Sequence, residues 1–169
     1  MLLNVSPLKN KPGGTMPFRV DLDLHTFAFG GCRPVTEPVT AVGEVRNTAD
    51  VMVLSGTVKT TLHGVCDRCA SDVVRTVEYP LHAVLTEHEI GTDGEEDPWL
   101  FPLENDCADL DDIVTTTFVL SMESKFLCKE DCKGLCPRCG KNWNDGPCDC
   151  KPDADPRLAV LKQLLKKES

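Results

Sequence analysis

The stretch Cys128-Lys-Glu-Asp-Cys-Lys-Gly-Leu-Cys-Pro-Arg-Cys-Gly-Lys-Asn-Trp-Asn-Asp-Gly-Pro-Cys-Asp-Cys150 constrains this chain more than any other. Six of its ten cysteines fall there, spaced C-x3-C-x3-C-x2-C-x8-C-x-C. A C-x2-C turn ending in glycine, as in Cys136-Pro-Arg-Cys139-Gly140, aims two thiolates and two backbone N–H groups at one point. A second pair, Cys148 and Cys150, completes the four sulfurs of a tetrahedral Zn²⁺ site. A disulfide framework would need an oxidising compartment. Thiols separated by a single residue also close a poor disulfide ring but ligate a metal well. A catalytic zinc keeps an open position and usually a His or carboxylate. All four histidines (His25, His63, His82 and His88) lie upstream of the cluster, so the expected metal is structural.

A second C-x2-C, Cys66-Asp-Arg-Cys69, falls between two β-prone segments, at what should be a hairpin tip. Redox C-x2-C pairs usually open a helix, whose N-terminus lowers the thiol pKa; here strands are expected on both sides. Two arrangements follow. Cys66, Cys69, Cys128 and Cys132 can form one site, with Cys136, Cys139, Cys148 and Cys150 forming another. Alternatively, one Zn²⁺ takes four of the six C-terminal cysteines and Cys66 and Cys69 stay free. Either way Cys32 and Cys107 are left over, and Cys32 reads as a semi-buried small residue.

Upstream, period-two patterns dominate. Met1–Ser6 can form a short strand and residues 9–14 a loop. Phe18, Val20, Leu22 and Leu24 alternate with polar residues, which places His25 on the solvated face. Val39, Ala41 and Val45 lead into a turn at 47–50. Met52, Leu54, Val58 and Leu62 share one face of the next strand, and Val73, Val77, Tyr79, Leu81, Ala83 and Leu85 share one face of another. Sequential strands with short connections predict an antiparallel meander. Trp99, Leu100, Phe101 and Leu103 should dock on it. Asp109 can N-cap a helix running to about Met122, with Asp111 and Asp112 at its positive dipole end. Leu110, Ile113, Val114 and Phe118 give that helix an apolar face toward the sheet, despite the β-prone Thr115–Thr117. Asp155-Pro156 opens a terminal helix with Leu158, Leu161, Leu164 and Leu165 on one face. The expected class is α+β: an antiparallel β meander covered by a helix, then a cysteine-rich zinc-binding module and a terminal helix. We divide it as a β-rich domain, 1–124, and a metal module, 125–169. No internal repeat is evident.

Charge bears on partners. Residues 1–124 carry 8 Lys/Arg against 20 Asp/Glu, and residues 125–169 carry 10 against 7. Eleven acidic side chains and no Lys or Arg fall between Glu87 and Asp112. That run reads as a solvated acidic loop, 87–112, or as a contact for a basic protein. Binding nucleic acid by bulk charge is weakly supported, so any such contact must be local. No apolar run approaches the ~18 residues of a membrane span. The first residues, Met1-Leu-Leu-Asn-Val-Ser-Pro7, lack the basic and apolar regions of a signal peptide, and the expected compartment is the cytoplasm. No phosphate loop, dinucleotide fingerprint or Ser/His/Asp arrangement is recognisable.

Three stretches together resemble the YceD family of large-subunit ribosomal RNA accumulation proteins. They are Val65-Cys-Asp-Arg-Cys69 followed by a strand, the run from Asp109 through Cys128 to Gly140, and Asp155-Pro-Arg-Leu158. The resemblance spans most of the chain and is weakest before residue 38. Its cysteine-rich part is similar to that of Gram-positive members. Other members lack some of these cysteines, so the resemblance implies a stabilising metal and a non-enzymatic role in synthesis, processing or accumulation of large-subunit (23S) rRNA, without a small-molecule substrate. The partner implied is a large-subunit rRNA precursor or a ribosomal protein. Candidate RNA contacts are Lys129, Lys133, Arg138, Lys141 and Trp143, whose ring can stack on an unpaired base or cover the metal site. The alternative is a zinc-stabilised protein–protein adaptor without RNA contact.

Overall fold

The computed structural model describes residues 1–49, 51–87 and 99–150. The terminal helix expected after Asp155 and residues 88–98 of the acidic segment, His88 among them, lie outside these residues. Within them the chain is α+β, with one antiparallel-rich sheet and few helices.

The sheet order is β2(Thr15–Leu22), β3(Val39–Thr48), β4(Val51–Val65), β5(Asp72–Thr86) and β6(Leu100–Pro102). The first four strands form the expected meander, each antiparallel to its neighbour. The last pair is parallel: Leu100–Pro102 adds along Val84–Thr86. A three-residue strand carries too little alternation to announce itself, but Phe101 is buried as the docking expectation required. A separate pair, β1(Leu2–Asn4) with β7(Cys107–Asp109), runs antiparallel and leads directly into the helix.

Alternation decides which face is buried. Phe18 and Val20, then Val39, Ala41 and Val45, then Met52, Leu54, Val58 and Leu62, then Val77, Leu81, Ala83 and Leu85 form one continuous core. Onto it packs α2(Leu110–Ser121), through Leu110, Ile113, Val114, Thr117 and Phe118. Asp109 caps that helix by accepting a hydrogen bond from the Asp111 N–H at 3.0 Å, and Asp111 and Asp112 occupy its first turn. The caps and the 3.6-residue period therefore prevail over the β propensity of Thr115–Thr117. Phe118 meets Phe27 edge-on and Tyr79 at a tilt, with centroids 6.0 and 6.1 Å apart.

Two glycines let β3 and β4 approach. Gly43 and Gly56 face each other in the ladder. A Cβ on Gly43 would stand 2.2 Å from the Ser55 carbonyl oxygen and 3.0 Å from the Phe18 ring. The ring thus covers the gap that the missing side chains leave.

Two readings need correction. Cys32 is exposed, not semi-buried; its neighbours Gly30 and Gly31 form a tight turn in which its Sγ donates to the Phe29 carbonyl at 3.1 Å. Asn47 does not belong to the turn expected at 47–50. The strand runs on to Thr48, and Asn47 is fully buried with Nδ2 donating to the Leu8 carbonyl at 2.7 Å. That bond fixes the short helix α1(Ser6–Lys9), which no sequence pattern had indicated. His25 is exposed on the polar side, where its Nδ1 lies 2.6 Å from Asp23 Oδ1.

Candidate metal centre

The first knuckle sits at the tip of the longest hairpin, where β4 and β5 contribute 15 residues each. Val65 pairs with Asp72 to close it. Inside, the Cys66 N–H donates to the Ser71 carbonyl at 2.8 Å, and the Ala70 N–H donates to the Cys66 carbonyl at 2.9 Å. The second knuckle repeats this design 70 residues on. Leu135 bridges Asn142, the Cys136 N–H donates to the Lys141 carbonyl at 2.8 Å, and the Gly140 N–H donates to the Cys136 carbonyl at 2.9 Å. Both turns need a left-handed residue after the second cysteine. Gly140 meets this at φ +71, whereas Ala70 adopts φ +55, a conformation unfavourable for a residue with a Cβ.

The segment after α2 carries Cys128 and Cys132 back to the hairpin tip. Asp67 holds it twice: its N–H donates to the Phe126 carbonyl at 2.8 Å, and its Oδ2 accepts from the Phe126 N–H at 2.6 Å. The Phe126 ring lies over Gly64, where a Cβ would come within 2.8 Å of the ring. The Arg75 guanidinium lies 5.4 Å from the ring centroid and bonds Glu123 at 3.1 Å. Arg68 then donates to the Glu130 and Cys132 carbonyls, both at 3.1 Å, while its own carbonyl accepts from the Leu135 N–H at 3.1 Å. Gly134, at φ +75, makes this possible: a Cβ there would stand 3.0 Å from the Arg68 carbonyl oxygen.

These contacts gather two all-cysteine groups, Cys66/Cys69/Cys128/Cys132 and Cys136/Cys139/Cys148/Cys150. Within each group, the sulfurs lie within 4.8 Å of one another. Of the two arrangements open in the sequence, the long-range one is therefore the arrangement assembled. Cys66 and Cys132 sulfurs stand 3.8 Å apart, and those of Cys69 and Cys128 stand 3.6 Å apart. Four sulfurs at the usual ~2.3 Å from a tetrahedral ion would be about 3.8 Å apart. Disulfide sulfurs would be at about 2.05 Å, and all ten cysteines are free. Donor set and spacing both fit a closed site holding one metal ion per tetrad, without an open position for substrate.

The electrostatics are uneven within each tetrad. Burial raises the Cys66 thiol, but N–H donors from Cys128, Arg68 and Cys69 outweigh it together and lower its pKa to about 6. Burial and the neighbouring sulfurs of Cys132, Cys69 and Cys66 push Cys128 up to about 12. Cys132 is lowered, chiefly by the Asn144 amide, whose Nδ2 donates to its sulfur at 3.3 Å. In the second group the Trp143 indole, donating to the Cys148 sulfur at 3.4 Å, leads the effects that bring Cys148 down to about 6. Contact with the Cys139 thiol comes first in raising Cys150 to about 12. Each tetrad thus holds at least one sulfur shifted toward the thiolate, Cys66 and Cys132 in the first and Cys148 in the second, and one that keeps its proton until a cation displaces it.

The basic side chains singled out in the sequence surround these groups. Lys129, Lys133, Arg138 and Lys141 are all exposed. Lys141 spans its own loop, with Nζ donating to the Pro147 carbonyl at 2.8 Å, and Lys129 lies 3.9 Å from Asp131. Trp143 keeps 37% of its surface exposed even though its N–H is committed to Cys148. It borders an open groove of about 580 Å³ with Lys133, Asn144 and Pro147. Sequence reading missed Asn144, Arg68, Gly134 and Phe126. The Gly between Cys132 and Cys136 was a usable signal; an Asn inside an eight-residue loop was not. No helix among the described residues is long and apolar enough to cross a membrane.

Known proteins share this arrangement of sequence. An uncharacterized protein of Mycobacterium tuberculosis (strain H37Rv) is 27% identical over 179 residues, covering 100% of this chain and 83% of its own length. The protein YlbN of Bacillus subtilis is 33% identical over 105 residues, 61% of this chain and 60% of its own. A plant relative from Arabidopsis thaliana, named large ribosomal RNA subunit accumulation protein YCED homolog 1, chloroplastic, is 25% identical over 170 residues, 85% of this chain and 51% of its own. No solved structure gives a significant match. The family model for large ribosomal RNA subunit accumulation protein YceD matches residues 54–165. That match takes in both knuckles, the covering helix and the return segment between them, so the chain belongs to the YceD family.

Proposed function

We propose that this protein is a non-enzymatic factor that supports synthesis, processing or accumulation of large-subunit (23S) rRNA in the cytoplasm. The observation that carries the reading is the family match over residues 54–165; the family's description and the plant relative's name both refer to accumulation of the large ribosomal RNA subunit. The tetrads are read as structural Zn²⁺ sites, because four thiolates suit a soft, tetrahedral ion. When bound, Zn²⁺ would cross-link the four sulfurs and offset half of the charge of four thiolates. The chain's own residues do the rest. Arg68, Asp67 and Phe126 lock the return segment to the hairpin tip, and the rigid surface beyond presents Lys129, Lys133, Arg138 and Lys141. Trp143 and its groove offer a stacking platform for one unpaired base of precursor rRNA. With few basic groups, binding should be local and only moderately salt-dependent.

Sedimentation of the native protein from lysate, with and without ribonuclease, tests this reading. Ribonuclease-sensitive migration with large-subunit precursors is the expected result. Migration that survives ribonuclease would favour the adaptor reading, with a ribosomal protein as partner. Migration only as a small free protein would remove the ribosomal role.

A further inference from the structure

The segment between Cys139 and Cys148 serves both tetrads. At Trp143–Asp145 it forms a single 3-10 turn. Trp143 points its indole N–H into the second tetrad, at Cys148. The next residue faces the other way: Asn144 Nδ2 donates at 3.3 Å to Cys132 Sγ, which belongs to the first tetrad. Asn144 is held for this task from several sides. Its Oδ1 accepts from the Lys133 N–H at 3.1 Å. Its own N–H donates to Asn142 Oδ1 at 3.0 Å, and its Nδ2 also reaches that oxygen at 2.8 Å. Asn142 extends the network, with Nδ2 lying 3.5 Å from Ser71 Oγ, which in turn lies 3.3 Å from Cys69 Sγ. Adjacent residues of one turn, Trp143 and Asn144, therefore reach a sulfur of one tetrad and, through polar contacts, two sulfurs of the other.

We propose that the two tetrads load metal cooperatively, with Asn144 as the positioning residue that couples them. The proposal rests on the reading that both tetrads take Zn²⁺. Ligation by Cys148 and Cys150 closes the loop that carries residues 141–147 and fixes the Trp143–Asp145 turn. A fixed turn presents the Asn144 amide to Cys132 at no further ordering cost. With the second tetrad open, that ordering must be supplied when the first tetrad binds, and its affinity is lower. Linkage makes the effect reciprocal: an ion in the first tetrad favours the second by the same factor.

The test uses the full chain under reducing conditions, titrated with Zn²⁺ against a competing chelator, with bound ions counted by native mass spectrometry. The one-ion species should fall below its statistical population. Opening the second tetrad with Cys148→Ser and Cys150→Ser should lower the affinity of the first by about fivefold or more. Asn144→Asp is the sharper variant. It keeps the oxygen that accepts from Lys133 but replaces the N–H donor with a carboxylate facing a thiolate. It should weaken the first tetrad by about tenfold and let the one-ion species accumulate. Circular dichroism at the sheet band checks that each variant is folded. Two ions that bind independently in the wild type, or an Asn144→Asp variant with wild-type affinity, would overturn the coupling and leave the Zn²⁺ reading intact. No uptake by either tetrad would overturn both.

Discussion

Stripping the metal from the Cys66/Cys69/Cys128/Cys132 tetrad should release residues 122–150 from the hairpin tip while the sheet stays folded. With the sheet and α2 still folded, the flexible chain that a bound ion closes runs from the end of the helix at Ser121 to Cys128. The chain-entropy relation for a loop of about 6 residues gives about 2 kcal/mol at 25 °C, or roughly fortyfold in an opening equilibrium. What remains to hold the segment is the Asp67–Phe126 pair and the Arg68 clamp, each bond contributing about 1 kcal/mol. Helix α2 does not depend on the tetrad, since Leu110, Ile113, Val114 and Phe118 anchor it in the core. Amide hydrogen exchange reads the difference directly. The Phe126 and Leu135 N–H groups, which bond across the two parts, should exchange roughly fortyfold faster after chelation. The Val77 amide, in the middle of the β4–β5 ladder, should change little. Unchanged protection at Phe126 and Leu135, or equal acceleration at Val77, would refute the reasoning.

Other outcomes follow from the same contacts. Gly134→Ala places a Cβ 3.0 Å from the Arg68 carbonyl at φ +75, and should cost about 1–2 kcal/mol, measured by thermal unfolding of the metal-loaded protein. Ala70→Gly relieves a left-handed alanine at φ +55 and should raise stability by up to about 1 kcal/mol; a lower melting temperature would contradict it. Metal affinity should fall as the pH is lowered, and more steeply below about 6. Above that point a cation displaces at least the proton on Cys128 or Cys150, each held up to about 12. Below it, Cys66 and Cys148, at about 6, are protonated as well, so each tetrad releases one more proton per ion. Chelator competition from pH 5 to 8 should show that added slope, and a constant slope would contradict it. Gly43→Ala, with its Cβ 2.2 Å from the Ser55 carbonyl, should disrupt the β3–β4 ladder and lower the melting temperature.

Where a residue pattern repeats within one element, the sequence was readable. Alternation from Phe18 to Leu85 located four strands and their buried face, and Asp109 with its apolar stripe located the helix. Cysteine spacing picked out the eight sulfurs that gather into the two tetrads, but spacing alone left one or two sites open. Only the β4–β5 hairpin, which carries Cys66 and Cys69 to the return segment, decides between them. Contacts with no local period stayed hidden: the parallel Leu100–Pro102 strand, the buried amide of Asn47, and Asn144, whose partner Cys132 sits in the other tetrad. Cys32 was misjudged because small cysteines are usually buried, whereas its turn faces outward.

The two knuckles share one design but differ in when they can be completed. Every ligand of the second tetrad falls between Cys136 and Cys150, so it closes locally and soon after those residues leave the ribosome. Cys66 and Cys69 must wait for Cys132, 63 residues behind Cys69. At the usual pace of about 5–20 residues per second, that is about 3–13 s. Throughout that interval the hairpin tip presents two thiols and no closed site, open to oxidation or to passing metal. The long-range tetrad is therefore the step at which newly made chains compete with oxidants, and the arrival of Cys128 and Cys132 decides how long that competition lasts.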